Sequence, residues 1–273
     1  MENDLREWLS EGTYGPGDTL PPQRELAVIF GVSRDTVQKA LKPLVEEGLV
    51  SSRQGSGIKV LRAASGVTPE PSPGRPGRRT LGPVIRKAFE SPAVSLDVYT
   101  LTAETLVGHI RVQAERIMAR EITPERVTVR MMLPSTDEPR PYPRAVEPGD
   151  HRVWDRFRDI AQQREEEMRY LLAQFPPGIE VAVKIRKVPL IPEFKLYVFN
   201  DSEMLFGPYV PVRLEIPVGG DAVPALDVLG LRSPLTFHQR EEDAESHDSV
   251  FFSSMQDWFE SVWDQLGTPG VGN

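Results

Sequence analysis

Four polar side chains around residue 35 have the types and spacing needed to read DNA bases. Arg34 and Gln38 are four residues apart, so on a helix they lie one above the other on a single face. Arginine can bind guanine through two hydrogen bonds, and glutamine can bind adenine in the same way. Ser33 and Thr36 place hydroxyl groups near the N-terminus of that helix. The chemistry predicted here is recognition of base edges in the major groove.

A helix-turn-helix followed by a β-hairpin, or wing, would position these side chains. Residues 23–30 are predicted to form one helix, and Ser33 to cap the next, which runs to about Glu47. Short strands at 49–52 and 58–60 flank a glycine-rich turn, whose backbone can approach phosphates closely. The inner face of the second helix is predicted from apolar residues at three- and four-residue spacing: Val37, Ala40, Leu41, Leu44 and Val45.

The run PGDTLPPQRELAVIFGVSRDTVQKALKPLVEEGLVSSRQGSGIKV resembles the DNA-binding domain of the GntR family of bacterial transcription regulators. The family's pattern is roughly PGD.LPSERELA..FGVSR.TVR.AL..L..EGLV....G.G..V, and the match covers about the first quarter of the chain. Pro22 and Gln23 replace a usual Ser-Glu pair, and Gln38 stands where arginine is common. The last departure indicates an altered operator sequence.

The resemblance implies a set of DNA contacts by position. These residues are Arg24, Ser33, Arg34, Thr36, Gln38, Gln54 and Gly55. Lys39 and Arg53 are added because they fall on the predicted DNA side. Residues 1–62 hold eight Lys/Arg and nine Asp/Glu, so the distribution of charge favours DNA and the net charge does not. The alternative is a winged helix used for protein contacts.

Composition excludes several kinds of chemistry. The 273 residues include no cysteine, which excludes disulfides, thiolate metal sites and a cysteine nucleophile. The four histidines lack metal-ligand spacing, and no dinucleotide, Walker or GxSxG motif occurs. We therefore expect no metal, no cofactor and no enzymatic activity. No apolar run approaches the ~20 residues of a membrane span, and no apolar signal region is present, so we expect a cytoplasmic protein.

Charge and composition divide the chain into parts. Residues 63–80 are rich in Pro, Gly and Ser, which predicts a linker between a DNA-binding domain at 1–62 and a second domain at 81–273. The linker's arginines either add phosphate contacts or belong to a solvated tether. The net charge of −8 lies mostly in residues 91–273, which carry 19 basic and 29 acidic side chains. That part is expected to lie away from DNA.

The second domain alternates strands and helices and then continues as antiparallel strands. Strands are predicted at 92–99, 126–133, 179–188, 194–199, 203–206 and 210–216, and helices at 103–121, 151–175 and 253–266. The predicted fold is thus an α+β winged helix-turn-helix domain followed by a larger α/β domain with a mixed sheet and flanking helices. This order rules out an all-helical acid-binding domain.

A candidate effector site follows from sheet geometry. Ligands of open α/β sheets tend to bind at the carboxyl ends of strands. That rule selects Thr100 and Thr102 after the first strand of the domain and Ser135 after the second.

A second, shorter resemblance concerns the segment EFKLYVFN. It is similar to the phospholipase D motif HxKxxxxD, in which histidine is the nucleophile. Lys195 matches, but Glu193 replaces the histidine and Asn200 the aspartate. Because phosphoryl transfer needs the nucleophile, the resemblance implies at best a non-catalytic relative in which Lys195 binds an anion. Alternatively, Lys195 is one exposed residue of a surface hairpin.

The sequence favours a GntR-type transcriptional regulator that binds an inverted-repeat operator of double-stranded DNA as a homodimer and responds to a small-molecule effector. Whether it represses or activates is left open. One alternative is a phospholipase D-like phosphodiesterase, or an inactive relative, fused to a DNA-binding head. Another is a C-terminal domain that serves dimerisation alone.

Overall fold

The computed structural model describes residues 1–10, 14, 16, 19–20, 23, 26–27, 30, 32–53, 57–62, 80–229 and 235–269. These residues form two compact units. The first contains the described residues up to Arg62 together with residues 80–83, and the second contains the described residues from Val84 onward. A third described helix, α3, spans Leu81–Ala88.

The first unit contains two described helices, α1 (Glu2–Ser10) and α2 (Arg34–Glu46), and a three-stranded sheet. Its strands are β1 (Thr19–Leu20), β2 (Val50–Arg53) and β3 (Gly57–Val60), in the order β1-β3-β2. Both pairings are antiparallel, so β2 and β3 form the predicted wing hairpin.

The helix predicted at residues 23–30 lies largely outside the described residues. Within it, Phe30 N donates to Leu26 O at 3.0 Å, which is a helical i to i−4 bond. Leu26 is fully buried, as its position on the predicted apolar face requires.

The second unit is built on a seven-stranded mixed sheet. Its strands are β4 (Ala93–Tyr99), β5 (Arg126–Pro134), β7 (Glu180–Val188), β8 (Phe194–Phe199), β9 (Glu203–Pro208), β12 (Thr236–Gln239) and β13 (Thr268–Pro269). The order is β12-β9-β8-β4-β5-β7-β13. β4, β5 and β7 are parallel, and the other pairings are antiparallel. The predicted mixed sheet is confirmed.

Three long helices accompany this sheet: α4 (Glu104–Met118), α5 (Arg152–Ala173) and α6 (His247–Gln265). The last four residues of β4 are all buried, which requires cover on both faces of the sheet. On one face α6 packs Phe252, Phe259 and Trp263 against Tyr99 and Met132. The predicted start of α6 at residue 253 is wrong, because Ser246 caps the helix by accepting from Ser249 N at 3.1 Å.

A second sheet was not predicted. β6 (Arg144–Ala145), β10 (Val210–Val218) and β11 (Asp221–Leu229) form it, in the order β10-β11-β6. Gly219 and Gly220 form the two-residue turn between β10 and β11. Their φ angles are 61° and 98°, values that glycine adopts without strain. β11 contains a proline, a residue that is uncommon inside strands. It is tolerated because Pro224 turns its carbonyl to β6, where Val146 N donates to it at 2.8 Å.

Candidate DNA-reading helix and ligand cavity

The N-terminus of α2 is closed by its own side chains. Ser33 precedes the helix with extended backbone angles, and its Oγ accepts from Thr36 N at 3.2 Å. The hydroxyls of Ser33 and Thr36 also lie 3.0 Å apart. This is the N-cap predicted from the sequence, and it fixes where the helix begins.

The predicted base-reading residues lie on the outer face of α2. Arg34, Thr36, Gln38 and Lys39 are all exposed, while Val37 between them is fully buried. The same helix buries Ala40, Leu41 and Leu44. The structure therefore brings Arg34, Thr36, Gln38 and Lys39 together at one end of one helix, whereas the contact with DNA itself stays a prediction.

An ion pair holds the far end of α2 to α1. Arg6 donates to both carboxylate oxygens of Glu47, at 2.6 and 2.5 Å, and its Nε donates to Glu2 at 3.0 Å. The hydrogen bonds from Arg6 lower the pKa of Glu47. Arg62 donates to the Glu47 carbonyl, so residues from both ends of the unit meet at the C-terminus of the helix. Sequence reasoning missed Glu47, because no local spacing pairs it with Arg6.

For four of the predicted DNA contacts the structure describes no side chain. Arg24, Gln54 and Gly55 lie outside the described residues. Arg53 ends β2, opposite Gly57, and the structure describes its backbone alone.

A cavity of about 200 Å³ lies in the second unit, where β4 leads into α4. It brings together three of the four predicted effector residues, Thr100, Thr102 and Lys195. The rest of the wall comes from the β4–α4 connection, the start of α4, α5, strands of both sheets, and two residues that lie just outside strands, Pro143 and Tyr209. The residues are Leu101, Ala103, Glu104, Thr105, Pro143, Val153, Arg156, Phe157, Ile160, Tyr197, Tyr209, Ile216, Asp227 and Val228. A cavity of this volume is large enough to hold a small metabolite.

The position of Lys195 corrects one prediction. The alternative of an exposed hairpin lysine is wrong, because the side chain is 7% exposed and lines the cavity. Its Nζ lies 5.6 Å from the centroid of the Tyr209 ring, within the range of a cation–π contact. The cavity therefore has a buried ammonium group in its wall.

Tyr209 ties the end of β4 to the start of β10. Its Oη accepts from Leu101 N at 3.0 Å and lies 3.0 Å from Thr100 Oγ1. Burial raises the pKa of Tyr209 to about 12, so the phenol stays neutral at physiological pH. Sequence reasoning missed this residue, because the contact joins segments more than 100 residues apart.

Two carboxylates lie in the same cavity. Asp227 accepts from its neighbour Val228 N at 2.8 Å, and burial raises the pKa of its carboxyl although Arg156 opposes the shift. Glu104 accepts from Thr102 Oγ1 at 3.3 Å. With Lys195 and Arg156, the wall carries two cations and two carboxylates. Such a wall suits a ligand with an acidic group and several hydrogen-bond donors.

Ser135 does not line this cavity, so the structure separates it from the other predicted effector residues. Its N–H donates to Val188 O at 2.8 Å, which prolongs the pairing of β5 with β7. Its hydroxyl bonds Asp137 two residues on. β5 continues beside β7 for two residues past Met132, the last residue paired with β4, and so carries Ser135 away from the cavity.

The phospholipase D resemblance finds no support. Asn200, at the position of the motif's acid, is the first residue of the β8–β9 turn, with φ of 50°. Its amide bonds Ser95 N at 2.9 Å and Ala88 O at 3.1 Å, so it fixes the backbone around it. Glu193, at the position of the nucleophile, is exposed and is absent from the cavity wall. Of the three residues, Lys195 alone lines the cavity described above.

No described helix has both the length and the apolar character required to cross a bilayer.

Comparison with known proteins identifies the first unit. Residues 1–60 match the family described as "Bacterial regulatory proteins, gntR family". The mannosyl-D-glycerate transport/metabolism system repressor MngR of Escherichia coli is 28% identical over 216 residues, which cover 77% of this chain and 72% of that protein.

Two further relatives align over shorter stretches. An HTH-type transcriptional regulator of Rhizobium meliloti is 31% identical over 52% of this chain and 53% of its own length. The Uxu operon regulator of Haemophilus influenzae is 41% identical over 25% of this chain and 26% of its own. The chain thus spans about half or less of these two relatives. Residues 1–60 form a GntR-family helix-turn-helix domain, and the chain is a DNA-binding transcriptional regulator.

Proposed function

We propose that this regulator binds an inverted-repeat operator as a homodimer and that the cavity around Lys195 binds a small acidic effector. The observation that carries the first part is the exposed face of α2, with Arg34, Thr36, Gln38 and Lys39 opposite a buried apolar face. A helix of this kind enters the major groove with its N-terminal residues at the base edges.

A dimer follows from the size of one reading surface. One α2 offers few side chains for base contacts, and two copies related by a two-fold axis would read two half-sites one helical turn apart. Footprinting of a captured DNA fragment tests this. Two protected half-sites about 10–10.5 base pairs apart, centre to centre, or a multiple of that distance, would support the dimer. A single protected half-site at saturating protein would contradict it.

The cavity supports an effector with a carboxylate or phosphate at one end. Lys195 supplies a buried cation, and removing a ligand's charge from water is offset only when such a partner is present. Glu104 and Asp227 would accept hydrogen bonds from hydroxyl groups elsewhere on the ligand. Phe157, Ile160 and Val228 give the apolar surface. The name of MngR refers to mannosyl-D-glycerate, a hydroxylated acid. Our proposal for this chain is a smaller molecule of that chemical class.

Binding would act on DNA affinity by selecting one of two states of the protein. A ligand that contacts α4, α5 and β11 at once favours the state in which these elements are closest together. The ratio of its affinities for the two states limits how far DNA affinity can change. Coupling of this kind typically changes affinity between about 5- and 150-fold.

A matched four-carbon series tests the ligand class through thermal unfolding. Threonate carries a carboxylate and hydroxyl groups. Threitol carries hydroxyl groups alone, and butyrate carries a carboxylate alone. Threonine carries a carboxylate, a hydroxyl group and an ammonium group. We expect threonate to stabilise the protein by about 2.7 kcal/mol at a hundredfold excess over Kd, with a further logarithmic rise at higher concentration, and threitol and butyrate to bind more weakly.

The Lys195→Met variant should lose this stabilisation, while Lys184→Met, at an exposed lysine of β7, should keep it. A panel of three- to six-carbon hydroxy acids extends the series. If none of them raises the unfolding temperature in a concentration-dependent way, the effector proposal is wrong even when operator binding is intact.

A further inference from the structure

Strand β10 leaves one edge of the smaller sheet without a described partner. In the order β10-β11-β6, β10 is an outer strand, and no described strand pairs with its other side. Its main chain there offers N–H and C=O groups to any strand that approaches. Two apolar residues on it are also exposed, Val210 by 44% and Leu214 by 36%.

The main-chain N–H groups at this edge belong to Arg213 and Glu215. Pro224 of β11 directs its carbonyl to β6, where it accepts from Val146 N. In an antiparallel ladder, a residue whose peptide groups point to one neighbour strand is in a non-hydrogen-bonded pair with the other. Glu215 is the register partner of Pro224, so its N–H and C=O point away from β11. Arg213, two residues earlier, points the same way.

The two prolines of β10 agree with this orientation. Pro211 and Pro217 belong to the same alternate set as Arg213 and Glu215. Their missing N–H groups would therefore have faced the open edge, where a proline removes no bond to β11. They also limit the donors at this edge of the strand to two.

The sequence of β10, VPVRLEIPV, is symmetric about its centre at Leu214. Valine matches valine at the ends, proline matches proline, and Val212 matches Ile216. The exception is the pair on either side of the centre, Arg213 and Glu215, whose charges are opposite. A strand of this kind is complementary to a second copy of itself running in the opposite direction.

We propose that two copies of the chain pair through β10, antiparallel, about a two-fold axis at Leu214. The dimer of the proposed function requires an interface, and this inference rests on that dimer. Each Arg213 would lie opposite Glu215 of the other copy, and the two residues would exchange both main-chain hydrogen bonds. The open edge of β10 in each copy would be covered by that of the other copy. The same surface of both copies would form the contact, as a closed two-fold dimer requires.

The side chains fit this register on both faces of the combined sheet. On the outer face, Arg213 and Glu215 are exposed and form two cross-strand ion pairs. On the other face, the two copies of Leu214 would be direct neighbours in a non-hydrogen-bonded pair, where side chains approach most closely. Val212 would meet Ile216 of the other copy. The exposed apolar surface of Leu214 is thereby covered.

Neighbouring registers are disfavoured. A shift by one residue on each strand places Arg213 opposite its own copy, or Glu215 opposite its own copy, so like charges face each other. Such a shift also places a proline, which has no N–H to donate, opposite a residue whose carbonyl would need a hydrogen-bond donor. The proposed register alone pairs opposite charges and aligns proline with proline.

Charge reversal tests the interface through the dissociation constant of the dimer, measured by sedimentation equilibrium on the full chain. R213E or E215R alone turns both ion pairs into repulsions and should raise that constant about tenfold or more. The double variant R213E/E215R restores opposite charges and should return to within about threefold of the unaltered chain. R158E, at an exposed arginine of α5, is the control and should change nothing.

An equimolar mixture of R213E and E215R chains gives a second readout. Each junction of a mixed dimer pairs opposite charges, so mixed dimers should be tighter than either variant alone. Single variants as tight as the unaltered chain, or a double variant that does not recover, would overturn the interface. A dimeric chain that ignores these changes refutes this inference alone, whereas a monomeric chain refutes the proposed dimer as well.

Discussion

Arg130 on β5 lies directly beside Asp97 on β4, and its guanidinium joins that buried carboxylate to Glu260 of α6. Nε donates to Asp97 at 2.7 Å, and Nη1 donates to Glu260 at 2.9 Å. The same group lies 5.2 Å from the centroid of the Phe259 ring. One side chain thus connects the parallel centre of the sheet to the helix that covers it.

We predict that Arg130→Met destabilises the protein by about 3–5 kcal/mol, because it leaves the carboxyl group of Asp97, which is 7% exposed, buried without its partner. Urea unfolding measures the change. Arg126→Met on the same strand is the control, since its ion pair with Glu180 is exposed and should contribute about 1 kcal/mol or less. Equal losses of unfolding free energy in the two variants would contradict the conclusion that Arg130 stabilises the protein through its buried partner.

His109 on α4 should make stability fall in mild acid. Burial lowers its pKa from 6.5 to about 3, so below pH 6.5 the unfolded chain takes up a proton that the folded chain does not bind until about pH 3. This group therefore removes about 1.4 kcal/mol of stability for each pH unit in that window. In His109→Asn the stability difference from the unaltered chain should shrink as the pH falls from 7 to 5. Parallel pH curves for the two proteins would disprove this assignment.

Tyr209→Phe should weaken the end of β4. The change leaves the buried Leu101 N–H without its acceptor, which costs about 1–3 kcal/mol. Tyr170→Phe, at an exposed tyrosine of α5, is the matched control and should change stability by less than about 0.5 kcal/mol. Thermal unfolding of both variants measures the two stability changes. A Tyr209→Phe protein as stable as the control would refute the buried hydrogen bond.

Local signals in the sequence predicted the elements that depend on neighbouring residues. The Ser33 cap, the apolar spacing of α2 and the alternating pattern of β5 all concern residues within one or two turns of each other. The turn between β8 and β9 was also predicted, and Asn200 and Asp201 both take φ of 50° there.

Features that depend on distant residues were missed. The wall of the cavity requires Tyr209 and Asp227 to meet Thr100, and no spacing along the chain encodes that meeting. β11 was not predicted. Its place is set by pairing with β10 and β6, and Pro224 is tolerated within it because its carbonyl accepts from Val146 N. Ser135 was misplaced because the relative lengths of β4 and β5 are set by pairing with β7.

Arg34 and Lys39 should affect DNA binding in different ways. Arg34→Ala is expected to cost about 1–3 kcal/mol on the preferred operator and to relax one base position, because a base contact is lost. Lys39→Ala should weaken binding to all sequences and reduce the salt dependence by the equivalent of about one phosphate contact. Lys184→Ala in the second unit should leave both properties unchanged. Identical sequence preferences for the Arg34→Ala and unaltered proteins would contradict the assignment of Arg34.

Selection of bound duplexes from a random library tests the central claim most directly. The unaltered protein should enrich one short inverted repeat, and Arg34→Ala should lose the preference at one symmetric pair of positions. No enrichment over random duplexes, with or without the hydroxy acids, would contradict an α2 that reads bases.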